Sequence, residues 1–231
     1  GRSSARETAM RVAAGGIAKK YLKERLGVEI FGYVSQLGPI VAERFDQDQI
    51  EQNPFWTPDA KAANTWADYL DSLRKSGSSV GAVIEVTARG VPAGLGAPVY
   101  GKLDTDLASA MMSINAVKGV EFGSGFSGAE SIGSAHNDSF TGLGTTATNR
   151  SGGIQGGISN GNSLVFRVAF KPIASIAQPQ QTVDVYGQPQ VVTVGGRHDA
   201  TVLPRAVPIV EAMTYLALAD FYLLQRINRT T

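Results

Sequence analysis

The sequence predicts an α+β fold, with helices and strands interleaved through a single domain of residues 1–231. Three observations carry that prediction. Val80, Ala82, Ile84, Val86 and Ala88 alternate with their neighbours, as do Leu164, Phe166, Val168 and Phe170, which is the period of strands that bury one face. Residues 4–26 put Met10, Val12, Ala13, Ile17, Tyr21 and Leu22 on one broad apolar side, as a helix resting on a core does. Residues 208–227 are apolar nearly all round, through Ile209, Val210, Met213, Leu216, Leu218, Phe221, Leu223 and Leu224. A helix of that kind is buried on most sides, in the core or at a subunit contact. No internal repeat and no interdomain linker breaks this order.

Taken in order, Ser4-x-x-Glu7 reads as a capping box opening the first helix, and Gly27 is placed to end it. With Arg2 and Arg6 beside it, that helix start offers backbone N–H groups, serine hydroxyls and guanidinium groups to a phosphate. Residues 28–41 read as extended and are followed by a polar stretch through Asn53. Thr57-Pro58-Asp59 starts a second helix, with Pro58 at its first position, running to about Lys75. After the strand at 80–88, a connection broken by glycine and proline leads to a short helix near 105–114 and a strand through Phe122. Residues 123–162 are rich in glycine and serine, and a loop of that length in a compact domain is usually functional or disordered. Residues 183–186 and 191–194 flank Gly187-Gln188-Pro189 as a hairpin.

Composition excludes several classes. A formal net charge of +1 with 18% charged residues gives no argument for nucleic acid or an anionic membrane surface. No apolar run is read as spanning a bilayer. The absence of cysteine rules out disulfides, thiolate nucleophiles and sulfur-ligated metals, and two histidines, His136 and His198, argue against a dedicated metal site. Gly123-Ser124-Gly125-Phe126-Ser127-Gly128 fits a dinucleotide pattern, but no helical run follows it. Gly96 to Lys102 fits most of a phosphate-binding loop, yet Leu103 stands where a hydroxyl would hold Mg²⁺. Both read as turns.

A distributed set of segments is more informative. Gly152-Gly153-Ile154-Gln155-Gly156-Gly157-Ile158-Ser159-Asn160-Gly161 either lets a ligand ring or phosphate approach the backbone or forms a flexible loop tip. Lys171-Pro172-Ile173-Ala174-Ser175 ends a strand with a cation, a rigid turn and a hydroxyl, which suits an anion, although a strand-end lysine is commonly just solvated. Gly195-Gly196-Arg197-His198-Asp199 sets three charge-capable side chains after the hairpin, as a site or as a surface turn.

In order, Gly1-Arg2-Ser3-Ser4-Ala5-Arg6-Glu7-Thr8, Gly90-Val91-Pro92-Ala93-Gly94-Leu95-Gly96, Lys102-Leu103-Asp104, the run from Met112 to Glu121, the run from Ser151 to Gly161, Lys171-Pro172, Gly196-Arg197-His198-Asp199 and the run from Arg205 to Met213 resemble the chorismate synthase family. The resemblance covers almost the whole chain and is thinnest over 42–77, 126–148 and 176–194. It implies a β-α-β sandwich, with helices packed between antiparallel sheets. It also implies an enzyme that uses reduced FMN to convert 5-enolpyruvylshikimate-3-phosphate to chorismate, with loss of phosphate and a ring hydrogen and no net redox change. A homotetramer is the usual assembly. Some members reduce their own flavin with NADPH. No nucleic-acid or membrane partner is implied, and the location is cytoplasmic, or a plastid in a plant or alga.

Carried over residue by residue, the resemblance implies that Arg2, Ser3 and Ser4 contact FMN and that Arg6 lies near the substrate. Asn115 and Ala116 line the flavin site, and Gly156 lies against the cofactor. Lys171, Pro172, Ile173, Ala174 and Ser175 contact it around the phosphate, and Arg197 binds FMN or substrate. Asp199 handles the proton at flavin N5. His198 is expected to be structural and His136 solvent-exposed. Three departures matter. The family's two catalytic histidines, in Gly-Glu-Ser-His-Gly and Arg-Pro-Gly-His segments that precede these motifs, are not in this sequence. Ala200-Thr201 replaces a common Pro-Cys after Asp199, and Arg150 stands where many members have histidine. The expectation is therefore the C-terminal portion of a chorismate synthase domain, incomplete at the N-terminus and inactive alone. The alternative is a non-catalytic structural or oligomerisation fragment that keeps part of an FMN site.

Overall fold

Apolar alternation, glycine stops and capping side chains divide the chain into well-defined elements in a computed structural model, which describes residues 4–142 and 144–228. A 3-10 turn (Ala5–Glu7) leads into α1 (Thr8–Leu26), β1 (Glu29–Leu37), β2 (Ile40–Val41), α2 (Ala60–Ser76), β3 (Ala82–Arg89), α3 (Leu103–Met112) and β4 (Val117–Phe122). Short pieces follow: α4 (Gly133–His136), β5 (Phe140–Gly142), β6 (Thr145–Thr146), β7 (Ile154–Gln155) and β8 (Ile158–Ser159). The chain closes with β9 (Leu164–Phe170), the β10 (Gln180–Val183) and β11 (Pro189–Val192) hairpin, and α5 (Leu203–Asn228).

The two alternating strands sit side by side in a five-stranded sheet of order β2-β1-β3-β9-β4, with every neighbouring pair antiparallel. Val34, Ile84, Val86, Phe166 and Val168 are fully buried on one face, against which α5 packs between α1 and α3. This is the α+β architecture of antiparallel strands with covering helices. The α1–α5 crossing is very close at Gly15, where a Cβ would stand 2.4 Å from the Cβ of Ala212. Beyond the short β2, the outer side of β1 is engaged by other groups. Ile30 N–H donates to the Tyr215 hydroxyl (2.8 Å), Gly32 N–H to the Glu211 carboxylate (2.7 Å) and Val34 N–H to the Trp56 carbonyl (2.8 Å).

The opposite face carries a polar row at one register: Tyr33, Glu85, Arg167 and Glu121 on β1, β3, β9 and β4. The Tyr33 hydroxyl donates to Glu85 and Arg167 pairs with Glu121 at 2.8 Å, around a hollow of about 260 Å³. Burial, then the bond to Glu85, pushes the Tyr33 hydroxyl well above the usual tyrosine range.

Several expectations need correction. The capping box is half formed: Ser4 accepts the Arg6 N–H (3.3 Å), but Glu7 turns forward to Arg11, four residues on, at 2.8 Å. Asp59 caps α2 by accepting the Lys61 and Ala62 N–H groups, so Pro58 stands outside the helix. α5 starts at Leu203, a full turn before Pro208, because Arg205 and Ala206 N–H groups both bond the Val202 carbonyl. At 26 residues, with an 18-residue window of mean hydropathy 1.5, α5 is also long and apolar enough to cross a bilayer, contrary to the reading above; here its packing against α1, α3 and β1 makes it the central core helix.

The glycine-rich segment is folded rather than loose. Asp138 is 8% exposed and accepts the Thr148 hydroxyl (2.6 Å) and the N–H groups of Arg150 (2.7 Å) and Ser151 (2.9 Å). Burial alone would raise its pKa, but those bonds together outweigh it and hold the carboxyl far below the usual range. His136 is half-buried, not exposed as expected, because its Nε2 bonds Ser124 Oγ at 2.7 Å through the gap left by Gly128. Gly123 adopts φ +55 where a Cβ would meet the Arg150 carbonyl oxygen at 2.0 Å, and only a 3-10 turn, Gly125–Glu130, follows.

Candidate functional site

β4 and β9 align at one end of the sheet, where Val117 faces Phe170. The chain enters β4 from α3 through Asn115 and Ala116. Ala116 sits in the left-handed region at φ +71, which is uphill for a residue with a Cβ. The Lys171 N–H, donating to the Ala116 carbonyl at 2.9 Å, holds that bend. Strain retained this way is a feature of binding sites.

Above this bend opens a cavity of about 710 Å³. Its floor is Ile114, Asn115, Ala116 and Phe170, one wall is the start of α1 with Arg6, Ala9 and Val12, and the other is Val202, Arg205, Ala206 and Ile209. The second wall is positioned by the Val80 N–H, which bonds the Ala200 carbonyl at 2.9 Å and draws the loop over the end of β3. Of the described lining residues only Arg6 and Arg205 are charged. Arg6 meets no acidic side chain among the described residues, while Arg205 Nη1 lies 2.8 Å from Asp199 Oδ2.

Arg6, Asn115 and Ala116 thus share one cavity, and Ser4 immediately precedes the wall. Lys171 follows the floor residue Phe170; Pro172, Ile173, Ala174 and Ser175 run on from there, with the Ile173 carbonyl accepting the Ser79 hydroxyl at 2.6 Å. Asp199 reaches the mouth through Arg205, and the exposed Arg197 lies two residues before it. His198 Nε2 bonds the Val194 carbonyl at 2.9 Å. Gly156 is elsewhere. It forms the β7–β8 turn with Gly157, whose carbonyl accepts the Leu103 N–H at the start of α3. Asn115 lies past the other end of that ten-residue helix, about 15 Å away along its axis. Arg2 and Ser3 lie outside the described residues.

The residue that sequence reasoning missed is Arg205. Its signal was present, six positions after Asp199 and just ahead of the long apolar helix, but placing the helix start at Pro208 left it in a loop. Apolar walls of this volume with two cations suit a flat, largely apolar molecule bearing anionic groups. No cluster of metal-ligating side chains occurs among the described residues.

Comparison with known proteins gives a consistent result. The chorismate synthase family model matches residues 1–223. Relatives called chorismate synthase in Ruegeria pomeroyi and Dinoroseobacter shibae are 58% and 57% identical over 232 residues, and one in Roseobacter denitrificans is 56% identical over 233. Each alignment covers 98% of this chain and 63% of the relative, so the chain spans about 63% of the length of these proteins. A crystal structure of chorismate synthase superposes with a TM-score of 0.80 at 32% identity, over 96% of this chain and 65% of that one.

Proposed function

The chain belongs to the chorismate synthase family, and on that premise we propose that it is the C-terminal portion of an FMN-dependent lyase converting 5-enolpyruvylshikimate-3-phosphate to chorismate and phosphate. The observation that supports this most is the meeting of Arg6, Asn115 and Ala116, from distant parts of the sequence, in one apolar cavity. Reduced FMN, when bound, supplies an electron-rich ring that can lend an electron as phosphate departs.

The chain's own residues bind and orient. Arg6 and Lys171 hold anionic oxygens at the cavity end, where apolar walls exclude water and strengthen each charge contact. Ala116 and Asn115 set the floor on which a ring lies. Asp199 takes the proton at flavin N5. Arg197 completes the cofactor contacts with Arg2, Ser3, Ser4 and the 172–175 segment, whereas Gly156, on the β7–β8 turn, lies outside this cavity. NADPH serves flavin reduction where the enzyme carries that activity, and the assembly is a homotetramer in the cytoplasm.

The isolated chain binds FMN but makes no chorismate, because the family's two catalytic histidine segments are not in its sequence. Anaerobic assay with reduced FMN tests this: chorismate formed by the isolated chain overturns the inactivity. Flavin titration tests the rest, since no binding at all favours a non-catalytic structural piece.

A further inference from the structure

Arg205 has a position that helix stability does not explain. It sits in the first turn of a 26-residue helix, where backbone dipoles already place positive charge and a cation is disfavoured. Its side chain is 68% exposed, so the ion pair with Asp199 is a weak, solvent-screened contact that is readily exchanged. Arg205 nevertheless lines the cavity, as Arg6 does, and these two are its only charged lining residues among those described. An apolar pocket bracketed by two cations is unsatisfied until an anion enters.

We infer that Arg205 is a ligand-binding residue that leaves Asp199 to clamp an oxyanion, carboxylate or phosphate, of the molecule in the cavity. A fork of guanidinium donors matches either group in bidentate fashion. The exchange also releases the Asp199 carboxylate to accept a proton. The inference rests on the chorismate synthase reading and assigns that site a further binding residue.

The test uses the full-length gene product and measures steady-state kinetics with 5-enolpyruvylshikimate-3-phosphate under reduced FMN, together with FMN affinity. Arg205→Ala is expected to raise KM, or to weaken FMN binding, by about tenfold or more. A KM effect assigns the oxyanion to the substrate and an FMN effect assigns it to the cofactor's phosphate. Arg205→Lys, which keeps the charge but loses the fork, falls between and covers the case in which the alanine variant is poorly folded. Asp199→Asn lowers kcat without raising KM. If Arg205→Lys and Arg205→Ala leave both KM and FMN affinity at wild-type values, the inference fails. It fails equally if they depress kcat alone, as Asp199→Asn does, because Arg205 would then only position Asp199. An inactive wild-type protein would instead sink the functional reading itself.

Discussion

At the end of the sheet where Ala88, Phe122 and Leu164 lie, polar groups are mostly satisfied internally, Asn149 Oδ1 excepted: Asp138 collects three donors, and Gly123 packs against backbone too closely for any side chain. At the end where Val117 and Phe170 lie, Ala116 is held in a strained bend, and two arginines face an apolar hollow. One end is closed by its own hydrogen bonds and the other is left for a ligand. The contrast teaches that glycine content does not mark a binding site by itself. The richest glycine segment here is mostly structural glue, whereas the cavity is built from segments containing little glycine.

Substitutions put that contrast to the test. Gly123→Ala should have the largest effect, about 3 kcal/mol or more of stability lost in urea unfolding, because φ +55 and the Arg150 carbonyl both oppose a Cβ. Asp138→Asn should cost about 2 kcal/mol at neutral pH, since a buried acceptor of charge-assisted bonds is weakened. The folded-state pKa of Asp138 is depressed, so this contribution is present above the ordinary aspartate value of about 3.9 and disappears as pH falls through the lower folded value. Unfolding curves of the two proteins that converge on acidification would bear this out. Arg6→Ala should weaken ligand binding by about tenfold while shifting stability by less than about 0.5 kcal/mol. A stability loss as large as that of Asp138→Asn would show that the open end is structural after all.

Glu211→Gln should have the smallest effect. Burial, with Glu51 adding to it, outweighs the Gly32 N–H and Lys19 that favour the charged form, and so raises the Glu211 pKa. A raised carboxyl contributes stability below the ordinary glutamate value, about 4.3, and loses it as pH rises through the folded value. The glutamine variant should therefore equal or exceed wild type by up to about 1 kcal/mol at pH 7 and lose that advantage in acid. A variant markedly less stable at pH 7 would show that the ionised carboxylate is needed.

The legible parts of the sequence were those with a physical period. β9 was read at its observed bounds, and β3 within a residue or two, because both bury alternate side chains in a two-sided sheet. α5 was recognised but begun late, since Pro208 looks like a first-turn residue and only tertiary packing shows the helix continuing back to Leu203. The interior of the glycine-rich segment was not legible. Its order depends on Asp138 reaching Thr148, Arg150 and Ser151, a contact set with no sequence period. The site was reached through ordered motifs, one of which begins at Arg205, but that residue's place on the cavity wall emerges only with the first turn of α5.

The rim of β1 has one more consequence. Three donors at alternate positions, Ile30, Gly32 and Val34, are occupied by Tyr215, Glu211 and the Trp56 carbonyl. A foreign polypeptide sliding alongside would find no free hydrogens to grip, so ribbon extension, a common route to clumping in sheet proteins, is blocked on that flank. Any larger assembly of this molecule has to form elsewhere, at the β4 edge of the sheet, through its flat surfaces or through its helices.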